Sequence, residues 1–234
     1  MMKAWQKYRG YLSNGQWHVH TTFTDGKNSV SEYAERAVEL GIPLLAFTEH
    51  VRLELTYNFN QFLNEIEIAR KKFPQLIILS GCEAKVLPDG TLDCSREILD
   101  KVDYKLFAFH SFPGDIGVYL FALHKIINKY PIDAWAHPGL FFKKHKNLVL
   151  SDDKLRKVFE GLGNNKILLE ISFKYNLPTM DWITKYLDVT NNQPVVFGGD
   201  IHTANELKLS LDIKNKWLET SFLSRLSQGR LSLS

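Results

Sequence analysis

Short apolar runs alternate with amphipathic stretches along almost the whole chain. Residues 17–20, 42–47, 76–79, 104–109, 134–136, 166–171 and 195–197 form apolar runs of strand length, several rich in β-branched residues. Helical patterns lie between them. Ser29 and Glu32 are spaced as a capping box, and Val30, Tyr33, Ala34, Ala37 and Val38 then recur at helical spacing as far as Gly41. Phe62, Leu63, Ile66 and Ala69 mark a second helix, which Pro74 stops. Pro88, Asp89 and Gly90 signal a turn, and residues 97–102 make one or two helical turns. Residues 116–130 and 181–187 read as helical, and Leu155, Val158, Phe159 and Leu162 form a stripe that Gly163 closes. From Asn205 onward the pattern fits a helix or irregular chain.

Roughly seven strand–helix units of this kind predict an α/β protein with a parallel sheet. Doubly wound sheets and closed barrels both fit the alternation. The 234 residues suit one compact α/β barrel, and no linker, repeat or low-complexity tract divides them. One domain over residues 1–234 is expected, with its motif-bearing part at about 14–207.

Composition adds little beyond a large core: 44% of residues are hydrophobic and 24% charged. The net charge of +3 gives small reason to expect strong binding to a phosphate backbone. Cys82 and Cys94 lack the paired short spacing of a thiolate zinc site and read as reduced and structural. The first ten residues do not resemble a secretory signal, and no apolar run approaches the roughly 20 residues of a membrane span. A cytoplasmic location away from membranes is the expectation.

Chemistry enters with the histidines. Of eight, six (His18, His20, His50, His110, His137 and His202) fall at or just after the end of an apolar run. Asp25, Glu83 and Asp200 take the same kind of position. Imidazole and carboxylate are ligands for Zn, Mn or Fe. His18 and His20 are two apart on a strand, so both rings face one way. Asp200 and His202, after Gly198 and Gly199, mirror them. A single strand-end histidine is ordinarily a hydrogen-bonded core residue. Nearly every strand ending in a ligand type is hard to explain by packing. In an open sheet the first and last strands lie far apart, whereas closing the sheet into a barrel gathers all strand ends on one rim, so the ligand positions favour the barrel. His124, inside a helix pattern, and His145, in the basic loop of Lys143, Lys144 and Lys146, read as structural or solvated.

These residues, in this order, resemble the PHP (polymerase and histidinol phosphatase) family. The likeness runs from about Trp17 to Thr203 and rests on six features. They are His18-x-His20-Thr21 followed by Asp25-Gly26, then Thr48-Glu49-His50, the Glu83 segment, His110-Ser111, His137-Pro138 and Gly199-Asp200-x-His202. The resemblance implies a distorted (β/α)7 barrel, TIM-like, in agreement with the unit count. It also implies three divalent ions, with zinc, manganese and iron as candidates. One would be held by His18, His20, Glu83 and Asp200, and a second by Glu83, His110 and His137, with Glu83 bridging. The third would be held by Asp25, His50 and His202. Some relatives carry His at the position of Asp25, which bears on metal identity. The segment 83–93 looks closer to polymerase-X-type and small stand-alone members than to histidinol phosphatases.

The implied activity is phosphoester hydrolysis by a hydroxide bridging two ions, with Glu83, Asp200 and His202 in catalytic positions. A small phosphorylated molecule is the expected substrate, so the chain is read as a phosphomonoesterase. Histidinol phosphate, nucleic-acid ends and a metal-stabilised module without turnover are the alternatives. Arg52, Lys85 and Lys174, near strand ends, are the candidates for holding phosphate, with the loop 172–176 free to read substrate. The sixth strand offers no evident metal ligand. Leu209, Leu211, Trp217, Leu218, Phe222 and Leu223 are expected to cover the barrel bottom or to make a subunit contact.

Overall fold

The computed structural model describes residues 2–227, with side chains as far as Trp217. Seven strands pair in sequence order, every neighbour parallel. They are β1 (Gln16–Val19), β2 (Leu44–Val51), β3 (Ile77–Lys85), β4 (Tyr104–Ala108), β5 (Ala134–Trp135), β6 (Leu168–Ser172) and β7 (Val195–Gly198). The helices are α1 (Ala4–Lys7), α2 (Val30–Glu39), α3 (Phe59–Lys72), α4 (Arg96–Lys101), α5 (Ile116–Lys129), α6 (Leu140–Lys144), α7 (Asp152–Asn164), α8 (Met180–Val189) and α9 (Ala204–Ser227). Val19 and Ile201 bridge the first and last strands in parallel. Ile201 O accepts from His20 N at 2.8 Å, and Ile201 N donates to His18 O at 3.0 Å. That seam closes the sheet into the nearly complete barrel that the strand-end histidines required. Among the described residues no helix is long and apolar enough to cross a membrane.

Alternation along each strand divides the barrel interior into two storeys. On β2, Leu44 and Ala46 face inward below, and Thr48 and His50 follow on the same face above. On β3 the order is Leu79, Gly81, Glu83; on β4 it is Tyr104, Leu106, Ala108, then His110; on β6 it is Leu168, then Glu170. The lower storey is an apolar plug, whereas the upper one collects imidazoles and carboxylates. The intervening residues point outward: Phe47, Cys82, Phe107, Trp135 and Leu169 belong to a larger cluster under the surrounding helices. Both cysteines are buried there and free.

Local signals account for the helices. The capping box of α2 forms as spaced, with Ser29 Oγ accepting from Glu32 N and Glu32 accepting from Ser29 N. The strands β2 and β3 outrun their apolar runs by four and six residues, because their polar extensions find buried partners. Glu49 accepts from Thr21 N at 2.8 Å, and His50 pairs in register with Glu83. Three further details depart from the sequence pattern. Gly163 lies within α7, which ends at Asn164. The basic segment after His137, expected as a loop, begins as the short helix α6.

The barrel bottom is the third departure. It is covered by the N-terminal segment, where Trp5 and Leu12 pack against Trp17, Leu44 and Leu79. The Trp5 indole donates to Lys166 O at 3.0 Å, and the Lys3 ammonium donates to Ile132 O and to Asn165 O. The C-terminal helix α9 instead lies along the barrel wall. Its Trp217 packs on Phe173 and Phe197, and its Ser210 accepts from Gln16 Nε2 at 2.9 Å. Leu209 is exposed and Leu211 half-buried, while Leu218, Phe222 and Leu223 lie outside the described side chains.

Two measurements check the bottom plug. Trp5→Ala should cost about 3–5 kcal/mol of stability in urea unfolding, against almost no change for Val149→Ala at an exposed site. Burial pulls the Lys3 ammonium down to about 8, and the Asp133 charge offsets part of that fall. Between pH 8 and the ordinary lysine value of 10.5, the unfolded chain therefore holds the proton that the folded chain has released. Stability relative to Lys3→Met should rise with pH across that window, and a flat difference would contradict the burial.

Candidate metal centre

Glu83 sits at the middle of the upper storey with its side chain wholly buried. Five imidazoles approach its two oxygens. On the Oε2 side are His50 Nδ1 at 2.9 Å and His18 Nε2 and His20 Nε2 at 3.6 Å each. On the Oε1 side are His137 Nε2 at 2.8 Å and His110 Nε2 at 3.3 Å. Asp200 completes the first group, with Oδ1 3.3 Å from His20 Nε2 and 3.7 Å from His18 Nε2. Asp25, half-exposed at the rim, places Oδ2 3.4 Å from His50 Nε2 and 3.2 Å from His202 Nε2. All nine residues singled out as ligands thus meet in one cluster. His50 touches Glu83 as well as Asp25, so the groups expected around separate ions merge at that ring.

Several of these contacts are not ordinary hydrogen bonds. His50 Nδ1 and Glu83 Oε2 lie 2.9 Å apart, yet neither atom has an aligned partner; His20, His110 and His137 each also leave Nδ1 without one. The two Nε2 atoms of His18 and His20 face each other at 3.0 Å. For ligand bonds of 2.0–2.1 Å, the edge of a tetrahedron is about 3.4 Å. The separations of 3.0, 3.3, 3.6 and 3.7 Å among His18, His20, Glu83 and Asp200 bracket that edge. Imidazole nitrogens and carboxylate oxygens this close together, several without an aligned partner, fit a shared divalent cation.

Titration behaviour follows from burial opposed by charge. Burial alone would raise Glu83, but the His110 and His18 charges outweigh it and hold the carboxyl well below its usual range. Burial likewise works against Asp200, and the His20 hydrogen bond and His18 charge bring it far down. His18 resists burial through the Glu170 and Glu83 carboxylates and rises well above an ordinary imidazole. His20 has less support, and burial lowers it to about 4. Burial raises Glu49 to about 7 against hydrogen bonds from Thr24 and Thr21, which tie it to the loop carrying Asp25.

The backbone makes its own contribution. His137 has φ 33° and Asp200 φ 47°, left-handed values that cost a non-glycine residue about 1–3 kcal/mol. Ala136 faces the barrel interior, so strict alternation would send His137 outward. The left-handed turn swings its ring back toward Glu83. At the β7 end, Gly198 makes room for a neighbour: a Cβ there would stand 2.2 Å from Glu170 Oε2.

Glu170 is the residue that the sequence pattern did not single out. Its Oε2 lies 2.8 Å from His18 Nδ1, and its Oε1 accepts from His137 N at 2.9 Å. With Nδ1 as the donor to Glu170, His18 presents Nε2 to the cluster. One signal was available, because a glutamate two places after Leu168 on a buried strand shares its inward face. The loop after β6 supplies Tyr175, whose ring packs 5.4 Å from that of His137 and whose hydroxyl interacts with Asp200.

The three proposed phosphate-holding cations have different settings. Lys174 Nζ reaches Asp200 Oδ2 at 2.9 Å and is at the centre. Arg52 donates to Val51 O at 2.6 Å and has its Nε 3.7 Å from Asp93, beside a pocket formed with Thr24, His50 and Tyr57. Lys85, half-buried at the end of β3, is on the Glu83 face of that strand. Of the other histidines, His124 is exposed, and His145 is half-buried 3.2 Å from Phe112 O.

The chain is similar to known proteins in both sequence and fold. The family model described as PHP domain matches residues 16–204. The DNA polymerase/3'-5' exonuclease PolX of Bacillus subtilis is 28% identical over 88% of this chain and 38% of its own length. A probable phosphatase of Aliivibrio fischeri is 29% identical over 52% of this chain and 51% of its own. The probable phosphatase YcdX of Shigella flexneri is 30% identical over 66% and 62%. The chain therefore spans less than two thirds of the length of these curated relatives. Among solved structures, the histidinol phosphate phosphatase of Lactococcus lactis, complexed with zinc, L-histidinol and phosphate, shares the fold. Its TM-score is 0.63 at 16% identity, over 86% of this chain and 94% of that one. A chain of an archaeal ribonuclease P structure gives 0.53 at 14%, over 88% of both.

Gly198→Ala should displace Glu170 and loosen His18 while the barrel survives. The expected result is a folded protein whose Zn affinity falls about 10–100-fold, as for loss of a group that orients a ligand. Wild-type affinity, with Glu170 unmoved in a crystal structure of the variant, would contradict the tight approach.

Proposed function

Since the chain belongs to the PHP domain family, we propose that it is a metal-dependent hydrolase of phosphoesters, acting on small phosphomonoesters. The observation that carries this reading is the buried Glu83 carboxylate with five imidazole rings within 3.6 Å. Stability alone does not call for such a cluster, because burying charge is costly even when it is paired. His18, His20, Glu83 and Asp200 would hold one ion, Glu83, His110 and His137 a second, and Asp25, His50 and His202 a third. Zinc, manganese and iron all suit this nitrogen and oxygen donor set. Bound divalent ions would lower the pKa of water and neutralise the phosphate charge.

The chain's own groups would do the rest. Glu83 has both oxygens turned to imidazoles, so it can be shared between two ions. Glu170 fixes the ring of His18. His202 Nδ1 lies 2.9 Å from Asp200 O and so can donate to it, which leaves Nε2 for the cluster. Asp200 is ionised in this setting and is suited to binding a cation; as a general acid it could act only after taking up a proton. Lys174, and at the edge Arg52 and Lys85, supply positive charge for the phosphate oxygens. No side-chain nucleophile is needed. Burial raises both cysteine thiols, Cys94 to about 12, the reverse of an activated thiolate.

One observation favours a second reading, cleavage of nucleic-acid ends. Lys143 and Lys144 of α6 reach Tyr175 O and His110 O, so that helix brings its positive charges to the mouth of the site.

Elemental analysis of the purified protein, paired with an activity panel, tests the reading. The panel should contain phosphomonoesters, histidinol phosphate and labelled oligonucleotides, each with Mn, Zn and Fe added in turn. Bound divalent metal and phosphate release are expected together, and both should be lost in a His18→Ala/His20→Ala variant that remains folded. Oligonucleotide cleavage without phosphatase activity would select the second reading. Folded protein that takes up no metal and has no activity after reconstitution would overturn both.

A further inference from the structure

Lys174 approaches the Asp200 carboxylate more closely than any of three imidazoles does, at 2.9 Å against 3.3 Å for His20 and 3.7 Å for His18 and His202. Its ammonium is also 3.2 Å from Asp200 O and 3.1 Å from His202 Nδ1. The backbone that carries it is firmly held. Ser172 N donates to Leu177 O at 2.7 Å, Leu177 N donates back to Ser172 O at 3.1 Å, and Lys143 donates to Tyr175 O. The Lys174 side chain, by contrast, is 38% exposed and rides on a flexible stem, while the Asp200 carboxylate is 6% exposed. One partner of this ion pair is fixed inside the cluster, and the other reaches it from the exposed edge on a flexible stem.

Two cations therefore claim the same carboxylate. A divalent ion beside Asp200 attracts its oxygens and repels an ammonium at hydrogen-bond distance. The three donors of a displaced ammonium need new acceptors, and the anionic oxygens of a phosphate bound at the cluster would be strong ones. We propose that Lys174 is a resident counter-ion of Asp200 which an incoming metal ion must displace, and which then binds substrate phosphate. Metal and phosphate would thereby strengthen each other's binding through one side chain, and by linkage the effect is reciprocal. Lys174 is in this respect a positioning residue that couples the two ligands. The inference rests on reading Asp200 as a metal ligand.

Mn²⁺ titration by calorimetry at fixed pH and ionic strength, with and without inorganic phosphate, tests it on four proteins. These are the wild type, Lys174→Met, Lys174→Arg and Lys146→Met, the last removing an exposed rim charge. Without phosphate, Lys174→Met should bind Mn²⁺ roughly tenfold more tightly than wild type. The tightening that phosphate brings should be smaller in that variant. Lys174→Arg should retain both wild-type behaviours, and Lys146→Met should differ little from wild type. Equal or weaker Mn²⁺ binding by Lys174→Met, or an effect of the same size in Lys146→Met, would overturn the counter-ion role while leaving the metal centre intact. A wild-type protein that binds no Mn²⁺, Zn²⁺ or Fe²⁺ would overturn the metal reading itself, and this inference with it.

Discussion

A carboxylate removed from water must find opposite charge or surrender its own. Glu83 is wholly buried yet held in the ionised range, and the upper half of the barrel is arranged to make that possible. β2 and β3 continue beyond their apolar runs so that His50 stands in register with Glu83. β1 and β4 bring His18, His20 and His110 to the same point, and a left-handed turn after β5 adds His137. Gly198 leaves room for Glu170, which in turn steers His18. Each of these features is unfavourable or unremarkable by itself. Together they surround one buried charge with nitrogen donors.

The fold affords this because one alternating pattern serves both ends of the barrel. Inward-facing positions carry Leu44, Leu79, Tyr104 and Leu168 below and His50, Glu83, His110 and Glu170 above. The lower storey is sealed by Trp5 and Leu12 and supplies the packing. The upper storey holds strain, buried charge and polar atoms without hydrogen-bond partners. Stability and chemistry are separated along the barrel axis, as expected where strand ends carry the site.

The alternation of elements was legible in the sequence because helix and strand periods differ and caps mark the starts. The nine clustered side chains were legible because eight sit at or near a strand end and Asp25 lies in the Asp-Gly turn after β1. Less visible was whatever depends on tertiary pairing. The polar tail of β2, Thr48 to His50, looks like loop until Glu49 and His50 are given their buried partners. Glu170 lies inside an apolar run, where a single acidic residue gives no hint that His18 and His137 converge on it. Lysine-rich α6 reads as loop because it is only five residues long and is anchored by buried Leu140 and Phe141, the latter stacked on Tyr119, rather than by a repeating pattern. The N-terminal cover has no periodicity at all; its role comes from Trp5 and Lys3 meeting backbone at the base of the strands.

The relatives divide between a DNA polymerase/3'-5' exonuclease and probable phosphatases, and fold alone does not decide between such activities. For this chain the account rests on a centre organised on the Glu83 carboxylate. Anomalous diffraction from crystals of the Mn²⁺-loaded protein addresses that directly. The account predicts metal peaks at about 2.0–2.2 Å from both oxygens of Glu83, one of them also contacting His18, His20 and Asp200. Peaks confined to other carboxylates, with Glu83 contacting only imidazoles, would contradict it.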